Sequence, residues 1–244
     1  LLLPFLSVTI LKVADNENIN AMYFCCPAED FYLYPVNIKV RDMSCLVIGG
    51  GHIALRKVSK LLHEGAEVTV LAPALSEELM ELYRKNRIQW KQAFYKPGDT
   101  AGYHFVVTAC GVRNVAEQVR KEALNHFFLY NGADFPSLGN CSLPAGFETG
   151  GIGFAISTNG RSPAMAKYIK TWLEREIPPS FGAWLDRVSV IREGLPDELS
   201  SSRARECFWH SVFSDQIMNL VLSGKLDEAE ECVHHAIGRF RTEP

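Results

Sequence analysis

The sequence predicts an α/β fold built on a doubly wound parallel sheet. Three observations predict it. A continuous apolar run ends in three glycines, strand-like and helix-like segments alternate over roughly 95 residues after Asn37, and strand patterning disappears beyond Pro178-Pro179. The run Cys45-Leu46-Val47-Ile48 followed by Gly49-Gly50-Gly51 reads as a buried strand and its turn. Ile53, Ala54, Val58, Leu61 and Leu62 then recur at helical spacing up to a stop at Gly65. Val68 to Leu71 predicts a second strand closed by Ala72-Pro73, and Leu79, Met80, Leu82 and Tyr83 a second helix. Ile88-Gln89-Trp90 and His104 to Val107 predict the third and fourth strands. Val115, Val119 and Ala123 mark a helix, and Phe127 to Tyr130 the fifth strand.

After Pro144 the pattern changes. Gly151 to Ile156 predicts a strand outside the alternation, leading through Ser157–Pro163 into a helix from Ala164 to about Glu176. Beyond the two prolines only helical stripes are left, such as Trp184, Val188 and Ile191, then Leu226, Ala229 and Val233. Core packing is the expected use of those stripes. Residues 1–29 read as an extension, expected to be poorly ordered. Its apolar start, Leu1 to Val13, lacks a basic n-region and contains Pro4, which makes a poor signal peptide, and Met22 would be a natural internal start.

Composition narrows the function. With 25 basic and 28 acidic residues the net charge is -3, which gives no global argument for nucleic acid or an anionic membrane. Seven cysteines, with no C-x-x-C among them, signal neither a zinc site nor a dithiol redox motif. They read as reduced thiols of a cytoplasmic protein, mostly small buried hydrophobes. The seven histidines show no metal-ligand spacing, so no metal site is expected.

Three stretches carry chemistry. Gly49-Gly50-Gly51-His52-Ile53-Ala54 is a G-x-G-x-x-A between a strand and a helix. Glycines there let the backbone approach a pyrophosphate, and the helix N-terminus offers free N–H groups. A purely structural glycine turn is the alternative. No Asp or Glu ends the second strand at Ala72-Pro73, so the motif supports a dinucleotide without choosing between NAD and NADP. The second stretch, Asn131-Gly132-Ala133-Asp134, follows the fifth strand. It would place Asp134 in the crevice beside a cofactor, as a general base or as a plain turn residue before Pro136. The third is Ser157-Thr158-Asn159-Gly160-Arg161-Ser162-Pro163, with Ser162 as N-cap and Pro163 as first helical residue. Its polar groups, with Lys167, Lys170 and Arg175 beyond them, suit an acidic ligand or simply cap a surface helix.

Together these residues resemble the precorrin-2 dehydrogenase and sirohydrochlorin ferrochelatase family, the N-terminal module of siroheme synthases. The resemblance runs from Tyr34-Pro35 to about Pro178 and more weakly through the helical tail. Cys45 to Lys57 is similar to the family's V-x-V-G-G-G-x-V-A-x-R-K, and Ala155 to Ala164 to its A-[IV]-S-[ST]-x-G-x-S-P. Three stretches depart from the family pattern. Ala109-Cys110-Gly111-Val112 stands where A-T-D-D is usual, Asn131-Gly132-Ala133-Asp134 replaces N-V-V-D, and Gly139-Asn140-Cys141 replaces C-D-F or a similar run.

The resemblance implies a Rossmann-type sheet at 30–145, a dimerisation segment at 146–178 and a small helical domain at 179–244. It implies NAD-dependent oxidation of precorrin-2 to sirohydrochlorin by a homodimer, with Asp134 as the catalytic carboxylate. In some members ferrous iron is then inserted as a second substrate. Gly49, Gly50, Gly51, His52, Ile53, Ala54, Ala72, Pro73, Ala109 and Cys110 are the expected cofactor residues. Asn131, Ser157, Thr158, Asn159, Gly160 and Arg161 are the expected substrate contacts. The sequence as given carries no methyltransferase module, so precorrin-2 is expected from a separate enzyme. A non-catalytic tetrapyrrole or dinucleotide binder is the rival of another class, and the altered Ala109–Val112 loop motivates it.

Overall fold

The computed structural model describes residues 33–199 and 201–242. The expectation for residues 1–29 therefore lies wholly outside the described residues, as do Cys25 and Cys26.

Five parallel strands form one sheet: β1 (Ser44–Ile48), β2 (Glu67–Leu71), β3 (Gln89–Lys91), β4 (Phe105–Thr108) and β5 (Leu129–Gly132), in the order β3-β2-β1-β4-β5. Strand β1 lies at the centre, with Val47 opposite Val70 on one side and Val107 on the other. It is buried on both faces, which explains its unbroken apolar run. Helices α1 (His52–His63) and α2 (Glu77–Arg84) cover one face, where Ala54, Val58 and Leu79 pack on Val47, Val70 and Val107. Helix α3 (Arg113–His126) covers the other, with Val119 and Ala123 against Leu46, Val106 and Tyr130. The reversal of connection between β3 and β4 makes this the doubly wound arrangement, with its crevice at the carboxyl ends of β1 and β4.

The fifth strand begins later than the sequence suggested. Phe127 ends α3 in the left-handed conformation (φ 55°), donates its N–H to Ala123 O at 2.9 Å and is 92% exposed. The strand therefore starts at Leu129, and Asn131 and Gly132 belong to it rather than to the loop beyond it. A second element escaped the sequence reading. The strand expected near 151–156 is β7 (Ile152–Ile156), and it pairs antiparallel with β6 (Ala145–Thr149) in a separate two-stranded sheet. Phe147 and Phe154 stack across it at 4.6 Å. Helix α4 (Pro163–Glu176) packs on this hairpin and starts as predicted, the Ser162 hydroxyl accepting from Met165 N at 3.2 Å. The tail comprises α5 (Ser180–Glu198), α6 (Ser202–Val212), α7 (Asp215–Leu222) and α8 (Leu226–Thr242). Their apolar stripes meet in one core around Trp184, Leu195, Phe208 and Val233.

The connection from β3 to β4 is clasped by one buried carboxylate. Glu122 on α3 is 7% exposed and accepts from Tyr95 Oη (2.6 Å), Gly98 N (3.0 Å), Gln118 Nε2 (3.4 Å) and the Thr100 hydroxyl. Burial pushes its pKa up, but the four donors outweigh burial and hold the carboxyl below its ordinary range. A depressed folded-state pKa contributes stability above the unfolded value, and that stability is lost as pH falls through the folded value. Glu122→Gln is therefore expected to cost about 1–3 kcal/mol at neutral pH. Urea titrations from pH 7 downward should show this deficit narrowing as the pH falls through the lowered folded-state value and the native carboxyl takes up its proton.

Candidate active site

The carboxyl end of the sheet is assembled by backbone packed on backbone. Gly49 leaves β1 with φ 131° and donates its N–H to Leu71 O at 3.0 Å. A Cβ at Gly49 would lie 2.2 Å from Ala109 O, and one at Gly50 would lie 2.0 Å from Ala74 O. Ser76 N closes the contact by donating to Gly50 O at 2.7 Å. The first glycine thus admits the loop after β4, and the second admits the loop after β2. Gly51 differs: a Cβ there would meet nothing within 4 Å. It is the N-cap of α1 in extended conformation, with no side chain capping the helix. The helix therefore opens onto free space with bare N–H groups and the positive end of its dipole.

That arrangement fits the pyrophosphate of a dinucleotide. His52 and Ile53 are exposed at the mouth, while Ala54 is fully buried and lets α1 lie close on the sheet. Ala72 and Ala109, at 2% and 9% exposure, floor the crevice on either side. The carbonyls of Ala72 and Pro73 accept from Trp90 Nε1 (2.9 Å) and Gln92 Nε2 (3.4 Å), which fixes the β2–α2 loop.

Asp134 reaches the same edge through the loop that departs from the family pattern. Its Oδ2 accepts from Gly111 N at 2.6 Å, and Gly111 adopts φ 71° to present that N–H. Burial raises the Cys110 thiol pKa, and the nearby Asp134 carboxylate adds to the shift, so the sulfur stays protonated beside the acid. The segment carrying Asp134 is pinched at its base. A Cβ at Gly132 would lie 2.4 Å from Phe135 O, and one at Gly139 2.8 Å from Tyr130 O. Asn140 ties the return strand to β5, Oδ1 accepting from Tyr130 N (2.7 Å) and Nδ2 donating to Phe128 O (2.9 Å). From α3, Arg120 donates to Ser137 O at 2.8 Å, and the Arg113 guanidinium sits 5.6 Å from the centre of the Phe135 ring.

The predicted site residues thus fall into two groups. Gly49–Ala54, Ala72, Pro73, Ala109, Cys110 and Asp134 come together at the carboxyl edge. Asn131 lies beneath that edge, 7% exposed, with Nδ2 donating to Cys141 O at 3.1 Å. Ser157–Arg161 form a separate turn between β7 and α4, organised locally. Ser162 N donates to Thr158 Oγ1 and Asn159 N to Ser157 Oγ, both at 3.1 Å, and Asn159 and Gly160 take positive φ. Lys170, expected to add positive charge along this helix, is paired with Glu174 at 2.8 Å. Sequence reasoning missed Gly111, Arg113, Arg120 and Asn140. Cys110-Gly111 after a strand was a signal for the first, whereas a helix arginine that happens to meet a carbonyl leaves none. Among the described residues no group of three or more His, Cys, Asp or Glu is placed to hold a metal ion.

Comparison with known proteins agrees with this geometry. An NAD(P)-binding family profile covers residues 36–145, and a sirohaem synthase dimerisation region covers 180–237. The solved structure of SirC, a precorrin-2 dehydrogenase, matches with a TM-score of 0.64 and 30% identity, over 82% of this chain and 100% of that one. The chain belongs to the precorrin-2 dehydrogenase family. Siroheme synthases of Methylococcus capsulatus and Methylobacillus flagellatus are 31% and 33% identical over 83% of this chain. The chain spans 43% of the length of each, so this precorrin-2 dehydrogenase family member corresponds to one part of those longer proteins. The dimerisation match begins just after the 146–178 segment that the sequence reading had associated with subunit contact.

The glycine turn gives a direct test of the family's cofactor crevice. Gly50→Ala is expected to force the β2–α2 loop away from the turn. Calorimetric titration should show NAD affinity reduced at least tenfold, with a melting temperature lowered by several degrees. Gly51→Ala, whose Cβ enters open space, should leave the melting temperature within a few degrees of wild type.

Proposed function

We propose that this protein oxidises precorrin-2 to sirohydrochlorin with NAD in siroheme biosynthesis. The observation that carries the reading is the Asp134 carboxylate, held by Gly111 N at the edge of a dinucleotide crevice, in a chain whose full-length structural relative is a precorrin-2 dehydrogenase. In this reading Gly49, Gly50, Gly51, His52, Ile53 and Ala54 hold the pyrophosphate, Ala72 and Pro73 flank the adenosine ribose, and Ala109 and Cys110 adjoin the nicotinamide. Bound NAD supplies the hydride acceptor. Dehydrogenation releases a hydride and a proton, and Asp134 takes the proton. The Gly111 N–H occupies Oδ2, which leaves Oδ1 as the atom that receives it. The polar turn Ser157–Arg161, with Lys167 nearby, receives carboxylates of the tetrapyrrole, and Asn131 acts from beneath the edge.

The enzyme is proposed to work as a homodimer in the cytoplasm. Residues 146–178 and the 180–237 region both contribute to subunit contact in this reading. Met165, Tyr168 and Trp172 support it, being 52%, 65% and 46% exposed at successive turns along α4. Among the described residues no helix is long and apolar enough to cross a membrane, and the described cysteines are all free thiols.

The deciding assay mixes purified protein, freshly prepared precorrin-2 and NAD without oxygen and follows NADH and sirohydrochlorin absorbance. Asp134→Asn is expected to lower turnover at least 100-fold while NAD affinity stays within about threefold. Tight binding by the wild type with no turnover would replace the enzyme by a binding protein on the same fold. A parallel arm with ferrous iron and preformed sirohydrochlorin tests whether iron is a further substrate, as the name siroheme synthase of the longer relatives suggests.

A further inference from the structure

Among the described residues Tyr130 is the largest side chain lying wholly out of solvent, in β5 on the face that α3 covers. A phenylalanine would fill the same core, so packing alone does not call for the hydroxyl, and a buried hydroxyl costs free energy unless it is bonded. Its oxygen has two partners. It lies 2.9 Å from Thr108 Oγ1, itself buried, and it donates to Ala116 O at 3.2 Å. A carbonyl only accepts, so the single phenol proton goes to Ala116 and the Thr108 hydroxyl donates to the phenol oxygen. The relay therefore runs one way, from β4 through β5 to α3.

Every member of this relay adjoins the acid. Thr108 closes β4, and its carbonyl accepts from Ala133 N at 2.9 Å, one residue before Asp134. Ala116 lies in the first turn of α3, the helix that the chain enters through Gly111, whose N–H meets Asp134 Oδ2 at 2.6 Å. The Tyr130 backbone holds the return of the same loop, its N–H donating to Asn140 Oδ1 (2.7 Å) and its carbonyl accepting from Asn140 N (2.9 Å). Donor and acceptor of the Gly111–Asp134 contact thus ride on α3 and β5, which share no ladder, and the phenol joins these two elements inside the core. We propose that Tyr130 is a positioning residue: its hydroxyl fixes how α3 seats on β4 and β5, and so keeps the Gly111 N–H on Asp134 Oδ2 and Oδ1 open to the substrate proton. The catalytic part of this role rests on the dehydrogenase reading.

Tyr130→Phe keeps the ring and removes the oxygen. Its control is Val119→Ala, which loosens the same core with the hydroxyl in place. The first readout needs no activity: NMR follows the Gly111 amide proton, which a short bond to a carboxylate draws downfield. In Tyr130→Phe this resonance is expected to move at least about half as far upfield as in Asp134→Asn, and in Val119→Ala to stay near its wild-type position. The second readout is turnover of precorrin-2 with NAD. Tyr130→Phe is expected to lower kcat about tenfold with KM for NAD within about threefold, because Ala109 keeps its own bond to Ile48 O at 2.8 Å. Thr108→Val should reproduce that loss and add nothing to it when combined with Tyr130→Phe, whereas Thr108→Ser, which keeps the donor, should retain activity. An unmoved Gly111 amide or a wild-type kcat in Tyr130→Phe overturns the proposal. So does an equal loss of kcat in Val119→Ala, or a combined variant whose losses multiply. If the wild type itself fails to turn over precorrin-2, the dehydrogenase reading falls, and the Gly111 resonance alone decides whether the hydroxyl holds the contact.

Discussion

The close approach of main chain to main chain at the carboxyl edge is the constraint on which the rest of the site depends. Where Gly49 passes Ala109 and Gly50 passes Ala74, the backbones are nearer than any side chain would permit. These two contacts draw the loops after β2 and β4 over the start of α1 and leave between them a bare helix terminus. Hydrogen bonds then fasten what the glycines allow, through Gly49 N to Leu71 O and Ser76 N to Gly50 O. Affinity for an anion at this point is a by-product of packing: the N–H groups are exposed because neither loop covers them and no side chain caps the helix.

The same device recurs wherever the chain must double back near the site. Gly132 and Gly139 close the stem of the Asp134 segment, and Gly150 meets Gly182 where the β6–β7 turn touches α5. Asn140 and Asn131 then supply the bonds that a regular ladder would have made, because β5 is the last strand and one of its edges has no neighbour. An acid placed on a loop beyond an edge strand would ordinarily wander. Here the Gly111 amide holds the carboxylate itself, while Arg120 at Ser137 and Asn140 at Tyr130 fasten the segment that carries it.

Much of this was legible in the sequence, for identifiable reasons. Strands buried on both faces write themselves as apolar runs, so β1, β2 and β4 were readable to within a residue. Ser162-Pro163 announced the start of α4 because capping chemistry is local. The misreadings arose where the deciding interaction is distant. Phe127 belongs by composition to an aromatic strand, but its left-handed backbone ends a helix and leaves the ring in solvent. Strand β6 lacks an apolar alternation because its partner is one hairpin strand and its other edge is open, so pairing rather than burial defines it. Asp134 stood out by its place after a strand, whereas Arg113 and Arg120 acquire their meaning only when α3 is laid beside the loop.

Gly111 shows how a departure from a family's wording can leave its architecture untouched. A Cβ at this position would meet nothing within 4 Å, so the demand is torsional and not steric. After glycine, aspartate and asparagine are the residues that enter left-handed backbone most readily. The aspartate usual at this place in the family and the glycine found here are thus two spellings of one bend in the chain. What the loop hands to the carboxylate is a main-chain N–H, which every residue but proline carries. A chain could therefore drift in side-chain identity along this loop while the acid keeps its donor.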